Sequence, residues 1–247
     1  ALLRPVAGAV GYSASRTTGW SHWFTLSNRQ WSRVSTNYCR AWTPGGSCAY
    51  DTTRQRVWPL RSDNSSTLSY LDLNTRTWTN APGSPASVAG YTDMVYSAFC
   101  VHRDLVVMCT NRDSDTMARF YWFRADSTGQ ARNAVTFANG NLPPGSYGRG
   151  SLVYVPELRK LIWFSQASSD AYFEIDVPSD PLAPWTWVGR AISGEGRPSN
   201  LSPGAAGATY KRMDYSPRLK SLMWVTGQST ADSYEFGGRV VAIRVAP

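Results

Sequence analysis

The sequence predicts an all-β protein folded as a single β-propeller of five four-stranded blades, and three observations carry that prediction. The first is an ungapped internal repeat. Val10 to Trp31 reads VGYSASRTTGWSHWFTLSNRQW and Val57 to Trp78 reads VWPLRSDNSSTLSYLDLNTRTW. The pairs Val10/Val57, Trp23/Tyr70, Leu26/Leu73, Arg29/Arg76 and Trp31/Trp78 are identical or similar. A strand, a polar turn and a strand opened by Trp therefore recur at about the length of one propeller blade. The second observation is composition: 13% of the 247 residues are aromatic, eleven of them Trp, and only 17% are charged, a usage that suits pleated, half-buried strands. The third is punctuation. Twenty Gly and fifteen Pro are spread along the chain, and no segment shows sustained helical periodicity with caps.

The blades fall approximately at 1–36, 37–84, 85–140, 141–192 and 193–247 of one domain spanning 1–247. The N-terminal ALLRPVAGAVGY has an apolar run with no basic segment before it, so it reads as structure and not as a signal peptide. Each later blade opens with a hairpin: AYDTTRQRVWPL, MVYSAFCVHRDLVVM, LVYVPELRKLIWF and MDYSPRLKSLMWV. Apolar residues alternate around a tight polar connection, which is hairpin chemistry. Val57, Leu161 and Leu222 follow Tyr50, Tyr154 and Tyr215 at one spacing, and the Tyr96 copy reads as stretched by two residues. Pro156 and Pro217 occupy matching turn positions. A second hairpin follows, with third strands HWFTL, SYLDL, FYWF, YFEIDV and VVAIRV and fourth strands opening QW, TW, AVTF and WTWV. The first blade starts almost directly at its second strand, and the last has no clear fourth strand. Chain ends that complete one shared blade hide exposed edges, so Leu2–Val6 is expected beside Val240–Val245. A four-bladed ring with an appended hairpin is the alternative.

Tyr70-Leu71-Asp72-Leu73-Asn74-Thr75-Arg76-Thr77-Trp78 resembles the end of a kelch repeat, in which an aspartate-bearing strand turns into one opened by Trp. Leu26 to Trp31, and Phe173 to Asp176 with Trp185 or Trp187, are looser copies. The double Gly of the kelch pattern is replaced by Ser165-Gln166 and Gly227-Gln228. The resemblance implies a kelch-like propeller, a fold that serves as interaction scaffold, lectin-like module or enzyme without choosing among them. Trp31, Trp78 and Trp187, at equivalent positions, are expected to fill the wedges between sheets. Asp72 and Asp176 are expected to accept hydrogen bonds from turn amides.

The net charge is +8, and only three of the 25 basic residues are Lys (Lys160, Lys211, Lys220). Arg suits planar, stacking or bidentate contacts, although a GC-rich genome gives the same bias. The basic residues form no block, so a basic surface for acidic partners fits and a dedicated nucleic-acid module does not. No stretch is long and apolar enough to span a membrane as a helix. Four Cys and two His lack the spacing of a metal site, and no cofactor is implied. Cys100 and Cys109 read as buried thiols in neighbouring strands. Cys39 and Cys48 are left between a loop-closing disulfide and free thiols.

In a propeller, the blade-to-blade loops and the second-to-third-strand loops emerge on one face. The long connections STNYCRAWTPGG, APGSPASVAG, NGNLPPGSYGRG and AISGEGRPSNLSPGAAGA would gather there and make it the default binding surface. They supply the candidate ligand-binding residues Arg40, Trp42, Tyr147, Arg149 and Arg197, side chains suited to stacking on sugar rings or anchoring a protein. The alternative for Trp42 and Tyr147 is packing of the loops onto the ring. An enzyme of this fold, such as a glycosidase, needs converging carboxylates in the central funnel. The inner-strand candidates Asp51, Asp93 and Asp214 sit at different offsets, and no G-x-S-x-G, P-loop or dinucleotide fingerprint occurs. The expectation is a non-enzymatic binding propeller whose partners are a surface glycan or other proteins of a larger assembly; the alternative is a glycosidase-like enzyme. The whole-chain character, with little Lys and many Ser, Thr and Asn, is similar to bacteriophage virion components, tail or capsid-associated. That similarity implies a virion location and a structural or receptor-binding role.

Overall fold

Strands dominate because the apolar residues alternate and because tight turns recur at fixed intervals. The structure is a computed structural model that describes residues 5–6, 22–25, 30–33, 47–60, 69–80, 94–111, 119–126, 133–144, 150–165, 171–193, 213–226 and 239–245. A short N-terminal sheet holds β1 (Pro5–Val6), β2 (His22–Thr25) and β3 (Gln30–Arg33). The first blade is β4 (Ser47–Asp51), β5 (Arg56–Leu60), β6 (Ser69–Asp72) and β7 (Thr77–Asn80). The second is β8 (Met94–Cys100), β9 (Leu105–Asn111), β10 (Arg119–Arg124) and β11 (Asn133–Ala134). The third is β12 (Gly150–Val155), β13 (Lys160–Ser165), β14 (Ala171–Asp176) and β15 (Thr186–Ala191). The fourth comprises β16 (Met213–Ser216), β17 (Ser221–Thr226) and β18 (Arg239–Arg244). Every pairing within these sheets is antiparallel. The described residues include no helix long and apolar enough to cross a membrane.

The fold is an all-β propeller, but with four blades and not five. Among the described residues the inner strands pack side by side in the sequence β4, β8, β12, β16, and the N-terminal sheet joins none of them by comparably broad contact. The reason lies in the repeat itself. The shift that aligns the two copies lays β2 on β6 and β3 on β7 residue for residue, so that Phe24↔Trp31 and Leu71↔Trp78 are equivalent pairs. Among the described residues the N-terminal sheet thus carries a blade's outer hairpin, with β1 beside it and no pairing to an inner strand. The expected closure by the chain ends is also corrected. Pro5 pairs with Trp23 and Val6 with His22, while β18 pairs with β17; Leu2 lies outside the described residues. Neighbours in sequence pair more readily than distant ends.

Four inner hairpins turn in the same way. Asp51↔Arg56, Cys100↔Leu105, Val155↔Lys160 and Ser216↔Ser221 are the last pairs, and each closes a four-residue turn. The fourth turn residue is left-handed every time: Gln55 (φ 56°), Asp104 (φ 55°), Arg159 (φ 53°) and Lys220 (φ 49°). Arg76 (φ 58°) repeats the form in the β6–β7 turn, where Asp72 Oδ1 accepts the amides of Asn74 at 2.8 Å and Thr75 at 3.1 Å as expected. Asp176 instead lies 3.5 Å from Lys160 Nζ. This common frame corrects the reading of Tyr96. Tyr50↔Val57, Tyr154↔Leu161 and Tyr215↔Leu222 are matched by Phe99↔Val106, with no stretch at all.

Among the described residues the core forms three apolar layers between successive blades. Ala49 and Trp58 of the first blade meet Phe99, Val106 and Phe123 of the second. Ala98, Cys100 and Phe120 of the second meet Leu152, Leu161 and Trp163 of the third. Val153, Val155 and Ile162 of the third meet Met213, Leu222 and Ile243 of the fourth. Alternation along each inner strand produces this arrangement, since successive side chains point to opposite faces of the sheet. Among the described residues the fully buried indoles are Trp58, Trp163 and Trp185. Trp78 and Trp187 are half-buried, with Trp187 edge-on to Phe173 at 5.4 Å between ring centroids; the Trp31 side chain lies outside the described set.

Candidate functional site

All four inner strands wall one axial cavity of about 650 Å³. Counting from the last paired residue of each inner hairpin, the same four positions line it in every blade. Three residues before that point stand Cys48, Ser97, Leu152 and Met213; two before, Ala49, Ala98, Val153 and Asp214. One before stand the aromatics Tyr50, Phe99, Tyr154 and Tyr215. One after, opening the tight turns, stand Thr52, Val101, Pro156 and Pro217. The cavity therefore reaches the tight-turn end of the propeller. Its wall is mostly small, aliphatic or aromatic, as in pockets that bind apolar groups.

The tyrosine hydroxyls are tied to the turns. Tyr50 OH donates to Gln55 Oε1 in its own blade. Tyr154 OH lies 3.0 Å from Nδ1 of His102, and the two rings stack at 5.6 Å and 13°. Tyr215 bonds Glu157, and burial together with that carboxylate pushes its pKa up to about 12. His102 and Glu157 are both the second residue of the preceding blade's turn, so successive blades are latched by one repeated contact. Between the first and second blades, where Phe99 has no hydroxyl, Arg54 bridges instead. Its two terminal nitrogens each donate to an Asp104 carboxylate oxygen at 2.6 Å, and Nη1 also donates to Asp51 at 3.1 Å. Asp51 is fully buried and accepts the amides of Thr53 and Arg54, each at 2.9 Å. The bond to Asp104, opposed by partial burial, leaves the Arg54 pKa raised.

One cluster has the residue types of a nucleophilic dyad. Cys100 Sγ lies 3.4 Å from His102 Nδ1. Burial pushes the Cys100 thiol up to about 12, and burial with Arg103 and Arg159 lowers the His102 pKa. At neutral pH the thiol and the phenol are thus both protonated, and both lie within hydrogen-bonding distance of one ring nitrogen, Nδ1. A protonated thiol is a poor nucleophile; the His102–Tyr154 contact ties the second blade's turn to the third blade. Cys109, opposite Tyr96 in β8–β9, is fully buried and its pKa is raised well above the usual thiol value by that burial. Among the described residues no group of His, Cys, Asp and Glu has metal-binding geometry.

Arg40, Trp42, Tyr147, Arg149 and Arg197 lie outside the described residues, as do Cys39 and Asp93. Asp51 and Asp214 do not converge: Asp214 lines the cavity, whereas Asp51 belongs to the Arg54 bridge and is absent from the lining. The aromatic ring around the axis was signalled in the sequence by the recurrent Tyr spacing. Phe99 was hidden because Tyr96 supplied the expected letter at the wrong register.

No protein-family model matches the chain, and no curated protein sequence matches it. Solved structures do match. A structural genomics protein of unknown function from Bacteroides thetaiotaomicron VPI-5482 aligns at TM-score 0.50 and 12% identity, over 92% of this chain and 54% of its own. TolB from Acinetobacter baumannii aligns at TM-score 0.39 and 11% identity, over 92% and 49%. SapL1 lectin, solved in complex with α-methyl fucoside, aligns at TM-score 0.45 and 13% identity, over 91% and 72%. The chain spans about half the length of the first two. At such identities the likeness speaks for the fold alone, and none of these names is that of a kelch or phage protein.

Proposed function

We propose that this propeller works by binding and not by catalysis, engaging a glycan or a protein surface through its long-loop end with Arg40, Trp42, Tyr147, Arg149 and Arg197. The observation that carries the reading is the state of the acid–base groups around the axis. Asp214 is the one carboxylate among the described residues lining the cavity, whereas glycoside hydrolysis generally takes two facing carboxyl groups. Asp51 is committed to Arg54, and the Cys100 thiol beside His102 is protonated at neutral pH. The strand directions place the tight turns at one end of the blades and the strand ends that lead into the long connections at the other. Loops on a rigid scaffold are where binding residues concentrate. The virion role belongs to the same proposal and predicts symmetric, stoichiometric assembly, which light scattering reads.

A glycan array that includes bacterial surface polysaccharides, run with the parent and Trp42→Ala, tests the reading. Specific binding that the variant loses is the expected result. Binding unaffected by Trp42→Ala, or hydrolysis of an arrayed glycan, would overturn it.

A further inference from the structure

The tight-turn mouth of the axial cavity is chemically lopsided. Its rim is formed by Thr52, Val101, Pro156 and Pro217, with Val101 42% exposed. Around the first two blades Arg54 is paired with Asp51 and Asp104, and the Arg103 guanidinium is held by Nε donating to Val177 O at 3.1 Å. Around the third and fourth blades the exposed side chains of Arg159, Arg218 and Lys220 have no ion-pair partner among the described residues. Leu219 stands beside them, 55% exposed. Of the nearby acids, Glu157 is engaged by Tyr215, and Asp214, one of the residues lining the cavity, accepts the Tyr215 amide on Oδ1 at 2.9 Å.

We propose that this mouth is a docking site for an extended acidic peptide, which seats one apolar side chain in the axial cavity and lays flanking carboxylates on Arg159, Arg218 and Lys220. The wall sets the order of those groups. Asp214 disfavours an anion inside, so the carboxylates belong outside, over the cations. The tyrosine hydroxyls are already bonded to the turns, so the wall offers ring and aliphatic surface and few free polar atoms for sugar hydroxyls. An alkyl or aryl side chain fits that wall better than a pyranose. Complementary charge at the rim would speed encounter and fix the register, with a strong salt dependence. The strand ends that lead into the long connections lie at the opposite end of the blades.

The test is fluorescence polarisation with a labelled peptide holding one Phe between pairs of Glu. Its controls are the same peptide with Ser for Phe, and with Gln for Glu. The protein variants are Val101→Glu, which puts a carboxylate at the mouth, and the triple change Arg159→Asn, Arg218→Ser, Lys220→Asn. Asn tolerates the left-handed backbone at 159 and 220, and circular dichroism establishes that each variant is folded. The expected result is saturable binding by the parent and by Trp42→Ala, weakened about tenfold or more by either peptide control and by either variant. Raising salt should weaken the parent complex and leave the Gln peptide little changed. No binding by folded parent up to about 1 mM peptide, binding indifferent to Val101→Glu, or binding of polygalacturonate or anionic vesicles in place of the peptide would overturn the proposal.

Discussion

Arg54→Ala should be among the most damaging changes at any solvent-accessible position of this protein. The guanidinium makes two bonds to Asp104 at 2.6 Å and one to Asp51 at 3.1 Å. Bonds to charged groups contribute about 1.5–3 kcal/mol when buried, but the two halves of this bridge differ. The Asp104 side chain is 37% exposed, so water screens its half, which contributes at most about 1 kcal/mol. The Asp51 side chain is fully buried, so truncation leaves a buried carboxylate with two amide donors and no counter-charge. Together they put the loss for Arg54→Ala at about 2–3 kcal/mol. Asp104→Asn, which suits the left-handed backbone there, should cost about 1 kcal/mol or less. Urea unfolding followed by Trp fluorescence reads both, the larger loss lowering the midpoint by about 1 M. A loss under about 0.5 kcal/mol for Arg54→Ala, or equal losses for the two variants, would refute the division of labour.

Gly150→Ala should also destabilise, by about 1–3 kcal/mol, because an added Cβ would overlap the Trp163 ring, whose Nε1 donates to Pro144 O at 2.8 Å; a melting temperature equal to the parent's would count against it. Burial pushes Glu174 up, but Arg190 and Lys160 outweigh it and leave its pKa lowered. Its stabilisation is therefore present above the ordinary glutamate range and lost as pH falls through the lowered value. Thermal melts should weaken below about pH 4.5, and Glu174→Gln should flatten that dependence. His102 has a lowered pKa, so the unfolded chain binds its proton first and stability falls as pH drops below about 6.5.

Much of the fold was legible because local rules repeat. The shift between the two repeat copies maps β2–β3 onto β6–β7, Asp72 caps its turn, and Pro156 and Pro217 open matching turns. Cys100 and Cys109 are buried in adjacent strands, as their apolar neighbours implied. What depended on contacts between sheets was not legible. Trp58 and Trp163 look like ordinary strand residues, and only the packing of neighbouring blades, with Gly150 leaving room for Trp163, makes them core. The blade number was misread because a half-blade carries the same outer-hairpin signal as a whole one. Phe99 escaped because residue type was followed where register decided. The cationic half of the tight-turn end is visible in the turn sequences, but which cations are neutralised depends on the contact of Arg54 with a turn 50 residues away.

The direct test of the four-bladed arrangement is a set of pulsed electron–electron distances between spin labels on Thr52, Val101, Pro156 and Pro217, the equivalent rim positions. With four blades around one cavity, the first and fourth labels are neighbours. The Thr52–Pro217 distance should then match Thr52–Val101 and fall short of Thr52–Pro156. If a fifth blade stood between them, Thr52–Pro217 would match Thr52–Pro156 instead, which would contradict a four-bladed ring.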